Sequence, residues 1–541
     1  MKTDPQFEKL SEQIQELIDG TISRANFESL SMQLASDPAA REHYAAHLEV
    51  ESLLEERLQV ESVSSSSVLP KLGELNAFRK AFLAIAACLA ALLGFCNLML
   101  IPEPVTAVTA VRVELNFDVP ASQVLRQSVA RLTNGSNFQL DSGGWSPSLG
   151  SRLAAGSYEL SEGSIELTFD AGTKVHLVAP ARFGVVDFDE IDLRSGKLEA
   201  DVPEQAIGFR VRTPAGEIVD YSTKFSVDVD KSGRSDVHVL EGLVEAIPNL
   251  VDQRPIPLVE NSSLRMSPDS VPEEVDFVPS SVVEFAARKS GDSAYSYMHF
   301  SFDEELTNGL VKNHGNSGNG QGGELVSEEK DAWLQVSGKV GKAIFFSGKS
   351  AEIKTNVKGV SGNHPRTIAF WTRIMPGTHA RNSYSFMGWG SPEKQNGGKW
   401  QMGWNPNYAG SDGTEGAIRT EFGGGYVVGS TDLRDGKWHH VASVFIGGNG
   451  SAVQQVRHYV DGKLESVSGF KDQRIDTDAN QETLSVGKYI FSGSPFFGSF
   501  KGWLDEMYLF DTALTPSQIV EIMNNSSVPA ADEIVPIIDE F

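Results

Sequence analysis

The chain has 541 residues, room for several domains, with a formal net charge of −26 and only two cysteines, Cys88 and Cys96. Eight basic against fourteen acidic residues in the first 80 leave that segment near −6, which makes direct contact with nucleic acid a poor fit and a protein partner a natural one. Both cysteines lie in one apolar stretch, so the part that follows is held by core packing rather than disulfides, and 51 glycines with 24 prolines point to β-rich parts with many turns.

The first elements read as helices. Leu10, Ile14, Leu17 and Ile18 fall at helical spacing over 7–19, and Gly20 stands where a left-handed C-cap belongs. A second helix opens at Ser23 and carries Phe27, Leu30 and Leu34 on one face. Asp37-Pro38 ends it and opens a third, whose Tyr44, Leu48, Leu54 and Leu58 lie within an arc of roughly 120°. Three such short helices bury little alone, so residues 1–60 read as an interaction module that completes its core by clasping another protein. His43 and His47 share a face but lack a third ligand nearby and read as solvated surface. The serine run Ser64–Ser67 marks 61–76 as a tether.

Residues 77–101 contain the stretch Ala81–Ile101, apolar apart from Gly94 and Asn97. At about 1.5 Å per residue it reaches roughly 30 Å, the thickness of a hydrocarbon core, and is predicted to cross a membrane once. Lys71, Arg79 and Lys80 precede it, whereas Glu103 follows and no base occurs until Arg112, which places the N-terminus in the cytoplasm and the remainder outside. Asn97, near the outer end, is placed to bond a neighbouring helix or interfacial water.

From 102 to 247 the chain is written in short runs with period-two alternation, bounded by Gly and Asp: 164–169, 174–180, 182–188, 197–203, 209–214, 224–230 and 236–246. This is an all-β region. Its ordered pieces LSEGSIEL (160–167), DAGTKVHLVAPARF (170–183), LRSGKLEADVP (193–203), GFRVRTP (208–214) and VHVLEGLV (237–244) resemble the FecR domain. Residues 17–54 likewise resemble the N-terminal segment of FecR-type anti-sigma regulators. One departure is Ser222, which stands at the usual glycine of an Asp-x-Gly-Thr turn, so a change in the local turn is expected. The resemblance implies a bacterial inner-membrane protein that holds an extracytoplasmic-function sigma factor through its cytoplasmic segment and receives a signal outside. No nucleophile, base or metal set gathers in this domain, and no catalytic residue is assigned.

Residues 248–290, rich in Pro, Ser and Glu, read mainly as a linker with room for an edge strand. Strand patterning resumes over 291–526, a length that suits a two-sheet jelly roll; the tail 527–541 is unassigned. Trp371 and Trp438 occupy strand positions, Asp461-Gly462 reads as a hairpin turn, and Thr515-Pro516 starts a helix. These runs resemble, in order, the LamG-like jelly roll of the concanavalin-like superfamily. The resemblance implies an optional calcium ion at Asp303 and Asp505 with loop carbonyls around Asn313, which stands where relatives often carry Asp. Trp389, Trp400, Trp404 and Tyr408, interleaved with glycine, offer ring faces for stacking on a sugar, with core packing as the competing reading. The Glu-x-Asp-x-(x)-Glu carboxylates of glycan hydrolases on this fold do not occur, and the chain is not expected to be an enzyme.

The expected whole is therefore multidomain and mainly β: a small cytoplasmic helical unit, one transmembrane helix, a FecR-like β domain and a LamG-like jelly roll. The expected function is a single-pass anti-sigma regulator that transmits an envelope signal. The competing reading is a cell-envelope protein that binds glycan or protein and regulates nothing.

Overall fold

The computed structural model describes residues 9–11, 29, 33, 128–250, 254–277, 296–306 and, with short interruptions, 309–528. The predicted span Ala81–Ile101 with Asn97, most of the predicted cytoplasmic helices and Tyr408 lie outside the described residues. Residues 9–11, 29 and 33 are helical, and Leu10, on the predicted apolar stripe, is buried. Among the described residues no helix is long and apolar enough to cross a membrane.

The first β body is one branched sheet of thirteen strands. Ser128–Asp141, Gly156–Phe169, Lys174–Asp187 and Glu190–Asp201 form a long antiparallel meander. The runs expected as two strands, 174–180 and 182–188, are a single strand whose register shifts around Pro180, a residue with no N–H to give to a ladder. At Glu190–Asp201 the sheet forks. The beginning of that strand pairs in parallel with Arg210–Thr213, and its end pairs antiparallel with Lys224–Val229. Both arms feed one core: Val211, Ile218 and Val244 come from the first, Phe225, Val237 and Val239 from the second. In Ser235–Glu241 the buried positions alternate strictly, as a strand with one face on a core requires.

Two differences from the sequence reading have local causes. Ser222 does adopt the left-handed conformation, φ 70°, and the turn is kept. Its N–H donates to Asp220 Oδ2 at 2.7 Å while Thr223 Oγ1 donates to Oδ1, so a buried carboxylate supplies what glycine's freedom would otherwise supply. The segment expected mainly as linker contributes Ile256–Val259, Ser263–Ser267 and Ser270–Glu274, with Leu258, Leu264 and Met266 in the core. Pro257 is tolerated because its strand lies at the end of the sheet path, with one side unpaired.

Glu245 sits on Leu243–Pro248 with 5% exposure; its Oε2 accepts from Tyr221 Oη at 3.4 Å, and its Oε1 has no partner among the described residues. Burial pushes its pKa up to about 7. A carboxyl raised in the folded state stabilises fully below its unfolded pKa, and that contribution is lost as pH rises toward 7, about 3 kcal/mol in all. Glu245→Gln is therefore expected to unfold at a higher temperature than wild type at pH 8, with the difference closing near pH 4.5; parallel melting curves at both pH values check it.

The second β body is a two-sheet sandwich. Eight strands form one sheet, with Lys501–Phe510 between Lys342–Ser347 and Arg366–Arg373, continued by Trp438–Phe445 and Val456–Val460. Nine form the other, running from Leu310–Val311 through Ser385–Gly390 and Lys399–Trp404 to Tyr426–Val428 and Gly469–Lys471. The predicted hairpin turn is present, with Asp461 and Gly462 at φ 51° and 81°, the two positive values that a type I′ turn needs. Helix Pro516–Asn525 opens with a capping box between Thr515 and Gln518.

Candidate functional site

Asp505 lies on the central strand at a bulge, where the register against Arg366–Arg373 shifts and Glu506 takes φ 49°. The bulge aims neighbouring carboxylates at different tasks. Glu506 Oε2 is 2.9 Å from His299 Nε2 and accepts from Tyr508 Oη at 3.1 Å. Asp505, fully buried, accepts the Val340 N–H on Oδ2 at 2.9 Å, and its Oδ1 has no hydrogen-bond partner among the described residues. Burial, foremost, pushes its pKa up to about 7. Asp303 Oδ1 accepts the Lys342 N–H at 2.7 Å, so both predicted aspartates brace the same Gly338–Lys342 turn. A Cβ at Gly341 would collide with Asp303 Oδ1 and one at Gly338 with Asp505 Oδ2, which is why the turn carries glycines.

The orphan Oδ1 of Asp505 is a donor atom that fits a cation. The side chain of Asn313 is not: its Oδ1 accepts from the N–H groups of His299 and Gly315 and its Nδ2 donates to Ser317 O, so it is spent on a turn. Among the described residues no group of three or more His, Cys, Asp or Glu side chains is placed to hold a metal, so such a site would rest on two carboxylates and carbonyls.

The reading of Trp389, Trp400 and Trp404 as exposed stacking faces is corrected. All three are 0% exposed and lie in the core of the sandwich. Trp389 stacks on Trp400 with ring centroids 6.0 Å apart and donates its Nε1–H to Val360 O. A glycine outside that stretch serves this packing: a Cβ at Gly359, in the loop between Ala351–Thr355 and Arg366–Arg373, would run into the Trp389 ring.

A group that sequence reasoning missed joins the two β bodies. Asp170, in the turn after Gly156–Phe169, is 6% exposed, and its Oδ2 accepts from Arg152 Nη2 at 2.7 Å and from Arg457 Nε at 2.8 Å. Arg457, on Val456–Val460 of the sandwich, also donates from Nη2 to Ser128 O at 2.8 Å. Two residues on, Tyr459 Oη donates to Asp170 O at 3.0 Å. Burial works against charge here, yet the two guanidinium groups hold the Asp170 carboxyl below its ordinary range. The signal in the sequence is faint: in Arg457-His458-Tyr459 the alternation turns Arg and Tyr toward the first body while His458 faces inward, with Nε2 2.8 Å from Thr420 Oγ1.

Several solved structures are similar to parts of this chain. Domain 4 of AbnA, an extracellular arabinanase from Geobacillus stearothermophilus solved with arabinotriose, is 23% identical over 42% of this chain and 96% of its own, with a TM-score of 0.30. The binding domain of botulinum neurotoxin serotype D/C is 13% identical over 43% of this chain, with a TM-score of 0.28, and the chain spans 52% of its length. A candidate anti-sigma factor from Parabacteroides distasonis is 17% identical over 22% of this chain, which spans 59% of that protein, with a TM-score of 0.20. No curated protein matches the chain. Residues 158–245 match the FecR protein family and residues 347–520 the concanavalin A-like lectin/glucanases superfamily, so the chain carries a FecR domain followed by a concanavalin A-like domain.

Proposed function

We propose that the chain is a single-pass anti-sigma regulator of the bacterial inner membrane, in which residues 1–60 bind an extracytoplasmic-function sigma factor and the two β bodies receive a signal outside. The observation that carries this reading is the FecR domain at 158–245, placed after an apolar stretch long enough to span and docked on a second β body through a buried ion pair. Such docking lets an event at the sandwich bias the FecR domain, and through the span the cytoplasmic clasp. The role is binding and regulation rather than catalysis. The full-length chain in detergent is expected to co-purify with a sigma factor encoded beside it, and deletion of the gene is expected to change transcription from that factor's promoters. Failure of both overturns the reading. The surface-binding alternative loses the three tryptophans on which its sugar platform rested.

Within the same reading we assign one calcium ion to Asp505 and Asp303. Calcium added to chelator-treated protein is expected to raise the melting temperature of the sandwich by about 4 °C or more, and Asp505→Asn to abolish the rise. An unchanged melting temperature in wild type removes the ion from the account.

A further inference from the structure

Helix Pro516–Asn525 covers part of the outer face of the eight-stranded sheet, where Ile519 and Ile522 pack with Ala369, Ala442 and Tyr508. Beyond the helix the same face carries a row of side chains over five adjacent strands. Leu334 stands opposite Phe345, Phe345 opposite Trp503, Trp503 opposite Arg373 and Arg373 opposite Trp438. They point outward because Phe346, Phe370, Leu504 and Val441, alternating with them along the strands, point into the core. Four strand spacings of about 4.8 Å make the row about 19 Å long. The Phe345 and Trp503 ring centroids are 4.5 Å apart, and the Arg373 guanidinium lies 5.3 Å from the Trp503 ring. Leu334 is 49% exposed and the other four are partly exposed.

Cations flank the row. Lys501 lies two residues before Trp503 on the same strand and face, and Lys339 Nζ sits 4.5 Å from the Trp371 ring in the adjoining row. None of Lys339, Arg373 and Lys501 has a carboxylate partner among the described residues. Of the carboxylates beside them, Asp505 is fully buried, and Asp435 is bonded to His439 at 3.1 Å and to Lys437 at 3.4 Å. Exposed Asp331, before the Leu334 strand, directly follows Lys330. On a chain of net charge −26, an aromatic surface with free cations calls for an occupant that is both apolar and acidic.

The chain carries such a segment beside the surface. Residues 529–541, PAADEIVPIIDEF, hold four carboxylates and no Lys or Arg, with Ile534, Val535, Ile537, Ile538 and Phe541 between them. Pro529 and Pro536 suit an extended course rather than a helix. Val528, the last described residue before them, packs against the cluster of Ala369, Tyr508 and Ile522, and Tyr508 Oη donates to Ser526 O at 2.9 Å. The chain therefore leaves the helix on this very face. Ala369 and Arg373 are four residues apart on one strand, about 13 Å, whereas residues 529–541 fully extended reach about 43 Å.

We infer that residues 529–541 lie across the Leu334-to-Trp438 row of their own sandwich, with the isoleucines against Phe345, Trp503 and Trp438 and the carboxylates toward Arg373, Lys339 and Lys501. A tethered segment meets its site at an effective concentration of about 1 mM, so an intrinsic Kd of about 0.1 mM keeps the face roughly nine-tenths occupied. Docked there, the segment shields the row from other acidic or apolar partners. The docking is independent of the sigma-factor reading.

The test treats the dilute full-length chain in detergent, an equal mixture of isotope-labelled and unlabelled protein, with a carbodiimide, which joins a carboxylate to an amine in contact with it. Mass spectrometry reads the linked peptides. Links from Asp532, Glu533, Asp539 or Glu540 to Lys501 or Lys339 are expected, each within one chain. Trp503→Ala combined with Arg373→Glu, each weakening the docking about tenfold, is expected to cut their yield about tenfold. If that variant does not fold, replacing Ile534, Ile537 and Ile538 by serine keeps every carboxylate and every sandwich residue, and the same loss is expected. Absence of these links, or a yield unchanged in a folded variant, overturns the inference. Links that mix the two isotope labels at random overturn it as well and assign the row to a second copy of the chain.

Discussion

Asp170→Ala is expected to cost about 3–5 kcal/mol and to split the thermal unfolding of the two β bodies into two transitions. The carboxylate is the shared acceptor of Arg152 and Arg457, whose side chains are 13% and 5% exposed. Removing it leaves two guanidinium groups facing each other in a low dielectric with no counter-charge, the situation in which a broken buried pair costs most. The loss falls on the junction, because one guanidinium belongs to each body and Tyr459 bonds the same turn. Scanning calorimetry of wild type and variant reads both the size and the splitting. A control separates charge from packing: with Asp170, Arg152 and Arg457 all replaced by leucine no charge is stranded, so most of the stability and a single transition are expected to return. If the leucine variant is as damaged as Asp170→Ala, the junction depends on shape and the ion pair is incidental.

Strands with one face on a core were legible because alternation such as that of Ser235–Glu241 follows directly, whereas Arg366–Arg373 and Lys399–Trp404 of the sandwich are buried along nearly their whole length and carry no such alternation. The Asp461-Gly462 turn and the Thr515-Pro516 helix start were legible for the same kind of reason, since each needs residue types that few other places need. The junction was not. Asp170 and Arg457 are 287 positions apart, and neither the turn around Asp170 nor the strand around Arg457 departs from what ordinary scaffold would carry. Ile256–Val259 was hidden by its proline, which is harmless at the end of a sheet path. The tryptophans misled for a physical reason. Glycine beside an aromatic reads as a loop that presents a ring to solvent, but here Gly388, Gly390 and Gly403 lie on paired strands whose tryptophans are buried, and a Cβ at Gly388 would meet Gln401 of the neighbouring strand. Composition alone does not separate the two.

Arg366→Met is expected to destabilise the sandwich by about 3–5 kcal/mol, with Arg366→Lys recovering less than half of that. Arg366 is 0% exposed beneath the two stacked tryptophans. Its Nη1 donates to Val360 O and Thr477 Oγ1, its Nη2 to Gly362 O and His364 O, and its Nε to His364 O. Burial pushes its pKa down to about 9, so it remains charged at neutral pH, and its guanidinium lies 5.0 Å from the Trp400 ring and 5.2 Å from Phe445. Methionine fills much of the volume but removes both donors from His364 O and one each from Thr477 Oγ1, from Val360 O, which keeps the Trp389 Nε1–H, and from Gly362 O, which keeps the Thr477 N–H. Lysine keeps the charge on a single ammonium that cannot reach them together. Denaturant unfolding of the three proteins ranks them. The same measurement governs how loss-of-binding variants in this sandwich are to be interpreted: because Trp389 and Trp400 share the Arg366 cluster, Trp400→Ala is expected to unfold the domain by a comparable margin. Loss of sugar retention in a Trp400→Ala variant would then report collapse of the core, and only substitution of a residue with an exposed face can test for a glycan platform.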